Sequence, residues 1–263
     1  MKKAYVQGVG VLAPGLVGWQ QCREVLTGKQ PYEPAELPKL VPQRLAAAVR
    51  RRTGDYIRLA IEVASEAVDN SDVDPSTLAS VFCTSDGDGQ IAHNICEAVT
   101  HDEPMVSPTQ FHNSVANAPA GYWSQAVQSF EPSTSVAGFD HAFAVGMIEA
   151  MAQVTMEDRP ILLVSHDVRF PEPLHSARPM ASSFGVAMVL SPEKTNASLC
   201  ALTATIHRVS GKPSVFEDAA LETVRKGNPA ARSLAALQAI ANGSGTVELN
   251  YPEEDLLRLE FAS

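Results

Sequence analysis

Asp140 and His141 stand side by side in the run Gly138-Phe139-Asp140-His141-Ala142. A carboxylate and an imidazole are common partners in acid–base chemistry. On a helix, however, adjacent side chains point about 100° apart and do not face each other. Cys83 closes the apolar run Ser80-Val81-Phe82-Cys83 and is a candidate thiol nucleophile. Gly8-Val9-Gly10-Val11-Leu12-Ala13 fits the loosest dinucleotide fingerprint. Pro14-Gly15 interrupts it where the phosphate-binding helix should continue, so it reads as a glycine-bearing strand and turn. Asp86-Gly87-Asp88-Gly89 offers carboxylates for calcium, with Glu97 at position 12, but Gln90 and Ile91 fill positions 5 and 6. It reads as a strand-to-helix turn. The seven histidines show no metal-ligand spacing, and nothing calls for a cofactor. Arg44, Arg50, Arg51, Arg52 and Arg58 form one basic concentration. It is either a solvated helix face or a docking patch for an acidic protein or a partner subunit.

The elements that must carry these groups are those of a globular α/β protein. Of 263 residues 45% are hydrophobic and 19% charged, enough for one large domain or two small ones. A net charge of −10 leaves no broad basic face for nucleic acid. No apolar run of signal-peptide length precedes Pro14, and no stretch of 18 apolar residues suggests a membrane span. Cys22, Cys83, Cys96 and Cys200 form no CxxC pair and read as reduced thiols of a cytoplasmic protein. The sequon Asn196-Ala197-Ser198 then carries no meaning.

Val6, Val9 and Val11 predict a first strand over residues 4–11, followed by a short helix ending near Thr27-Gly28. Residues 31–43 hold four prolines and read as a surface crossing. Ile57, Ala60, Ile61, Ala64, Ala67 and Val68 recur at helical spacing, with Arg58 and Glu62 placed to pair on the other face. Strands are expected over 80–84, 133–137, 161–165, 184–190 and 199–207, and helices over 89–100 and 117–130. A long helix follows residue 137, with Phe139, Phe143, Met147, Ala150, Met151 and Val154 on one face. The loop 105–115 is read as irregular. The last 55 residues suggest two short helices ending at Asn242-Gly243, then a hairpin. Strands alternating with helices predict an α/β fold with a mixed, helix-layered sheet.

Residues 117–150 carry a glycine-bearing helix, Glu131-Pro132-Ser133, a short strand and a tight elbow into a long helix. This order resembles the nucleophile region of the β-ketoacyl synthases. Counting on without a gap from Pro132-Ser133 puts Gly138, Phe139 and Asp140 where that family has Thr, Ala and Cys. VQGVGVLAPG resembles the family's opening strand and turn, and RRRTGDYIRLAIEVASEAV its arginine-led helix. RPILLVSHDV, SSFGVAMVLSP and ALTATIHRV take the places of its later strands. The likeness covers residues 3–208, leaving 209–263 as a C-terminal tail of a single domain.

The resemblance implies a thiolase-like half-fold without its usual duplicate. It also implies lost catalysis, because a carboxylate cannot form the thioester that the family's cysteine thiolate makes at a helix N-terminus. Asp140 is expected to cap that helix instead. The two histidines of the family's other half have no counterpart after His207. The implied role is a non-catalytic, chain-length-factor-like subunit paired with a full-length ketosynthase in a type II (aryl-polyene) condensing enzyme. The acyl carrier protein is met through that complex. Asn117, Trp123, Ser133, Ser135, Phe139 and Phe143 are candidates for the interface or for setting chain length. Two alternatives stay open: a small acyl-thioester hydrolase or decarboxylase using Asp140, His141 or Cys83, and a homodimeric module that binds acyl chains or carrier protein.

Overall fold

The computed structural model describes residues 3–208 and 211–263, so the expected boundary between core and tail falls beside two residues outside the described ones. The elements are β1 (Ala4–Ala13), β2 (Leu16–Val17), α1 (Trp19–Leu26), α2 (Ala47–Arg50), α3 (Asp55–Asp69) and β3 (Ala79–Thr84). Then come α4 (Gly89–Thr100), α5 (Pro108–Asn113), α6 (Ala118–Val127), β4 (Ser133–Ala137), α7 (Ala142–Met156) and β5 (Ile161–Asp167). The rest are α8 (Leu174–Ala177), β6 (Phe184–Ser191), β7 (Cys200–His207), α9 (Ala219–Gly227), α10 (Leu234–Asn242), β8 (Gly245–Asn250) and β9 (Leu256–Ala262).

The strands form one mixed sheet in the order β4-β3-β5-β6-β1-β7-β9-β8, with β2 beside β1. β3 runs parallel to β4 and to β5. The other pairings are antiparallel. β3, β5 and β6 are buried on both faces, which is why they read as unbroken apolar runs. One face packs on α3 and α6, through Phe82, Leu162, Val164, Ala187 and Val189. The other packs on α1, α7 and α10, through Val81, Leu163, Val186, Met188 and Leu202. The expected mixed α/β sheet is what forms.

Gly8 and Gly10 serve helix packing. A Cβ on either would stand about 2 Å from a carbonyl oxygen of α3, Ala67 O at 2.0 Å and Val63 O at 2.1 Å. Glu66 of α3 secures the same contact, accepting from Val11 N at 2.8 Å and also from Trp19 N. Arg58 and Glu62 do not pair. Glu62 accepts from Val41 N of the proline-rich crossing at 2.8 Å, and Arg58 donates to Arg50 O at the end of α2 at 2.9 Å.

The tail is part of the sheet. β9 pairs with β7 over Ala201–His207, and β8 pairs with β9. Buried Asn228 anchors the segment, donating to Ser182 O at 2.8 Å and Asp167 O at 3.2 Å. The β8 edge is engaged at Glu248: Ser214 N donates to Glu248 O at 2.8 Å, and Ser214 Oγ accepts from Glu248 N at 3.0 Å. Among the described residues no further strand pairs with the β4 edge, and its residues are half-buried or exposed. Among the described residues no helix is long and apolar enough to cross a membrane.

Three expected helix extents need correction. The loop 105–115 contains helix α5, started by Ser107 accepting from Gln110 N and by Pro108. The helix expected to reach residue 130 stops at Val127, because Gln128 takes a left-handed conformation. Phe139 is not on the long helix: its φ of +49° breaks the helical path, and α7 begins only at Ala142.

Candidate functional site

The crossover from β3 to β4 runs over one sheet face through α6, and the return from β4 to β5 over the other through α7. The loops at the C-terminal ends of these parallel strands therefore diverge, which is where crevices form in α/β sheets. The elbow 138–141 lies there. Its backbone prolongs the β3–β4 pairing: Gly138 N donates to Thr84 O at 3.1 Å and Phe139 N to Ser85 O at 3.2 Å. His141 N then donates to Gly138 O at 2.8 Å, closing a 3-10 turn. Glycine is required at 138, since a Cβ would lie 2.7 Å from Ala142 Cα.

Asp140 does not cap α7. His141 occupies the cap position, and no side chain bonds the helix start. Two arginines from distant segments claim the carboxylate instead. Arg178 Nη2 donates to Oδ1 at 3.1 Å, and Arg232 Nη2 stands 3.4 Å from Oδ2. Arg178 Nε also bridges to Asp86, so Asp86, Arg178, Asp140 and Arg232 form a chain of alternating charges. The Arg178 guanidinium lies 3.5 Å from the centroid of the Phe139 ring. His141 does not join this chain; its Nδ1 is buried without a partner. The adjacent carboxylate and imidazole therefore form no dyad.

Beneath the elbow lies a carboxylate that the sequence reading missed. Asp167 ends β5 fully buried, and its Oδ1 accepts from Thr84 Oγ1 (2.8 Å), Ser85 N (2.8 Å) and Ser85 Oγ (2.9 Å). Burial pushes its pKa up to about 6, against the lowering effect of those hydrogen bonds. It fixes the loop that presents Asp86 and the Ser85 carbonyl. An acid closing the apolar run ILLVSHD was the available signal. Its neighbour His166 points to the opposite face, its ring 4.5 Å from that of Tyr56, and burial depresses its pKa to about 3. It is neutral at pH 7.

Cys83 is buried, and burial pushes its thiol pKa up to about 12. That removes the thiolate a nucleophile needs. Asp88 caps α4 by accepting from Ile91 N at 3.1 Å, and Asp86 is held by Arg178, so neither acid of the DGDG run is left for calcium. Three of the five clustered arginines are engaged: Arg44 with Asp69, Arg50 with Pro42 O and Leu45 O, and Arg58 with Arg50 O. Arg51 and Arg52 are exposed.

The remaining candidates divide by burial. Trp123 and Phe143, each 1% exposed, pack in the chain's own core. Ser133 is exposed and bonds Ser80 Oγ at 2.9 Å, while Ser135 is half-buried, both on the open β4 edge. Asn117 lines an open groove of about 750 Å³ with Phe111, Val115 and Tyr122. Phe139, at 54%, offers one face of its ring outward.

The chain matches the family described as beta-ketoacyl synthase, N-terminal domain, over residues 19–255. No curated protein matches it. It is similar to a chain in the complex of the ketosynthase ApeO with its chain length factor ApeC from Xenorhabdus doucetiae. That likeness has 20% identity and a TM-score of 0.73, covering 99% of this chain and 100% of that one. A chain of the ishigamide ketosynthase/chain length factor is 12% identical, with a TM-score of 0.71 and coverage of 98% and 99%. A chain of AntDE:AntF, an acyl carrier protein with its ketosynthase, is 14% identical, with a TM-score of 0.75 and coverage of 99% and 99%. At these identities the structures establish a shared ketosynthase-like fold, and the family match spans most of the sequence. The chain belongs to the β-ketoacyl synthase N-terminal domain family.

Proposed function

We propose that the chain is a non-catalytic, chain-length-factor-like subunit that pairs with a full-length ketosynthase in a type II fatty-acid or polyketide condensing enzyme of the aryl-polyene kind. One observation carries this reading. Guanidinium groups face both carboxylate oxygens of Asp140, the residue that the ungapped count from Pro132-Ser133 matches to the family's cysteine. A carboxylate makes no thioester, and this one is neutralised by neighbours rather than presented to a substrate. The acyl carrier protein would be met through the assembled pair.

The unpaired β4 edge supports association with another chain. Open edges are normally covered or blunted, and among the described residues the other edge is bonded at Glu248 while no strand pairs with the outer side of β4. Phe111, Val115 and Phe130 are exposed on segments that precede the strand, and an interface of ordinary size, roughly 1,600 Å², would cover edge and apolar side chains together. The hydrolase alternative has less support, since the Cys83 thiol is held protonated and Asp140 is bound in ion pairs. Coexpression with candidate ketosynthases, followed by light scattering and carrier-protein elongation assays, tests the proposal. The expected result is a one-to-one complex that elongates, with no turnover by the isolated chain. Condensation or thioester hydrolysis by the isolated chain overturns it, and so does a stable homodimer that ignores every ketosynthase.

A further inference from the structure

Phe139 occupies a backbone conformation that it is poorly suited to. Its φ of +49° lies in the left-handed region, where glycine is at ease and a bulky side chain is strained. A buried ring could offset that strain through apolar contact, yet this ring is 54% exposed. Within the chain its ring lies against the guanidinium of Arg178. Neither the backbone nor the core of this chain accounts for a phenylalanine here.

The surroundings nevertheless fix the backbone of Phe139 and the cation against its ring. The Phe139 amide is bonded to Ser85 O at 3.2 Å, and the Gly138 amide to Thr84 O at 3.1 Å. Arg178, beneath the ring, is fixed from two sides by Asp86 and Asp140, and Asp140 is fixed in turn by Arg232. Strained residues persist where their surroundings over-determine them, and such places are typically binding sites. A rigid aromatic side chain that needs no ordering is also the usual form of an interface anchor.

We propose that Phe139 is a pre-set aromatic anchor for the partner ketosynthase, and that Asp140 acts as the positioning residue that holds it. This rests on the subunit reading above. The occupant is a chain lying along β4, because Phe139 follows the last residue of that open edge by two positions while the opposite edge is bonded at Glu248 by the chain's own Ser214. Arg178 is matched by two acids, so the anchor offers an apolar ring over a neutralised cation. The partner surface it fits is an apolar pocket, not a carboxylate.

The test compares wild type with Phe139→Gly, Phe139→Trp and Arg178→Met, using the ketosynthase that co-purifies with the wild type. Phe139→Gly suits the left-handed backbone, so the isolated chain should melt at the same temperature or higher. Its affinity for the ketosynthase should fall roughly thirty-fold or more, the range of an interface hot spot. Phe139→Trp should retain most of the affinity. Arg178→Met should bind more weakly than wild type and show faster hydrogen exchange at the Phe139 amide. If wild type forms no ketosynthase complex, the inference fails together with the subunit reading. If wild type binds and Phe139→Gly binds within a few-fold of it, only this inference is overturned.

Discussion

Gly146 of α7 lies directly over Cys83 of β3: a Cβ on the glycine would stand 2.4 Å from the thiol sulfur and 2.8 Å from the Cys83 Cβ. The absent side chain sets the height of α7 above the sheet, and α7 starts one residue after the elbow. Gly146→Ala should therefore destabilise the chain by about 1–3 kcal/mol, the usual result of overpacking a filled core. Cys83→Ala in the same chain should recover part of that loss. Urea denaturation of the single and double variants measures both, and additive losses would contradict the contact.

Installing the family's nucleophile should not restore chemistry. Arg178 and Arg232 beside position 140 favour a thiolate, so Asp140→Cys should react with iodoacetamide and accept an acyl group slowly. The neighbouring imidazole is not aligned with that position, since the His141 side chain does not join its charge chain. Intact mass should show acyl-enzyme at most, without a condensation product. Loss of the half-exposed ion pairs should cost about 1 kcal/mol or less.

Phe139 and Phe143 should separate cleanly. Phe143 is a core side chain, and its truncation to alanine should cost roughly 3–5 kcal/mol and lower the yield of folded chain. Phe139→Ala should leave the isolated chain's stability nearly unchanged. Should either residue set product length, a folded complex carrying the substitution would make longer carrier-bound chains, read by mass spectrometry. An unchanged length distribution would leave Phe139 as an anchor alone.

Two buried neighbours on β5 give opposed pH dependences. His166 titrates at 6.5 in a free chain and at about 3 in the fold. Between those values the unfolded state binds a proton that the folded state refuses, so this contribution to stability is lost as pH falls. Asp167 moves the other way, from 3.8 to about 6, so the folded state binds the extra proton and stability rises as pH falls from 6 towards 4. In wild type the two slopes, each up to about 1.4 kcal/mol per pH unit, should largely cancel between pH 4 and 6. Asp167→Asn should unmask loss of stability on acidification from pH 6.5, and His166→Leu a gain below pH 6 relative to pH 7. Urea midpoints across pH 4–7 read both, and parallel profiles for the two variants would refute the assignment.

Much of the scaffold was legible in the linear sequence. β3, β5 and β6 are buried on both faces, so their apolar runs are unbroken, and α3 shows its buried face at helical spacing. The elbow could be located by counting from Pro132, because the strand and turn that follow are short and ungapped. α5 was missed because Pro108–Asn113 is brief and mostly polar, with a capping signal and no apolar period to accompany it.

Phe139 shows where linear reasoning stops. Its four-residue spacing from Phe143 and Met147 suits a helix face, but backbone bonds to Thr84 and Ser85 pull the elbow into line with β3 and force φ to +49°. The role of Asp140 was equally out of reach. The family resemblance matched its position to a nucleophile, whereas its partners lie 38 residues away in Arg178 and farther still in Arg232. Residue types and local spacing determined the strands and the main helices. Only the tertiary structure decided what the carboxylate does instead, because a charge meets whichever opposite charge the fold brings within a few ångströms, and that distance is not written in sequence separation.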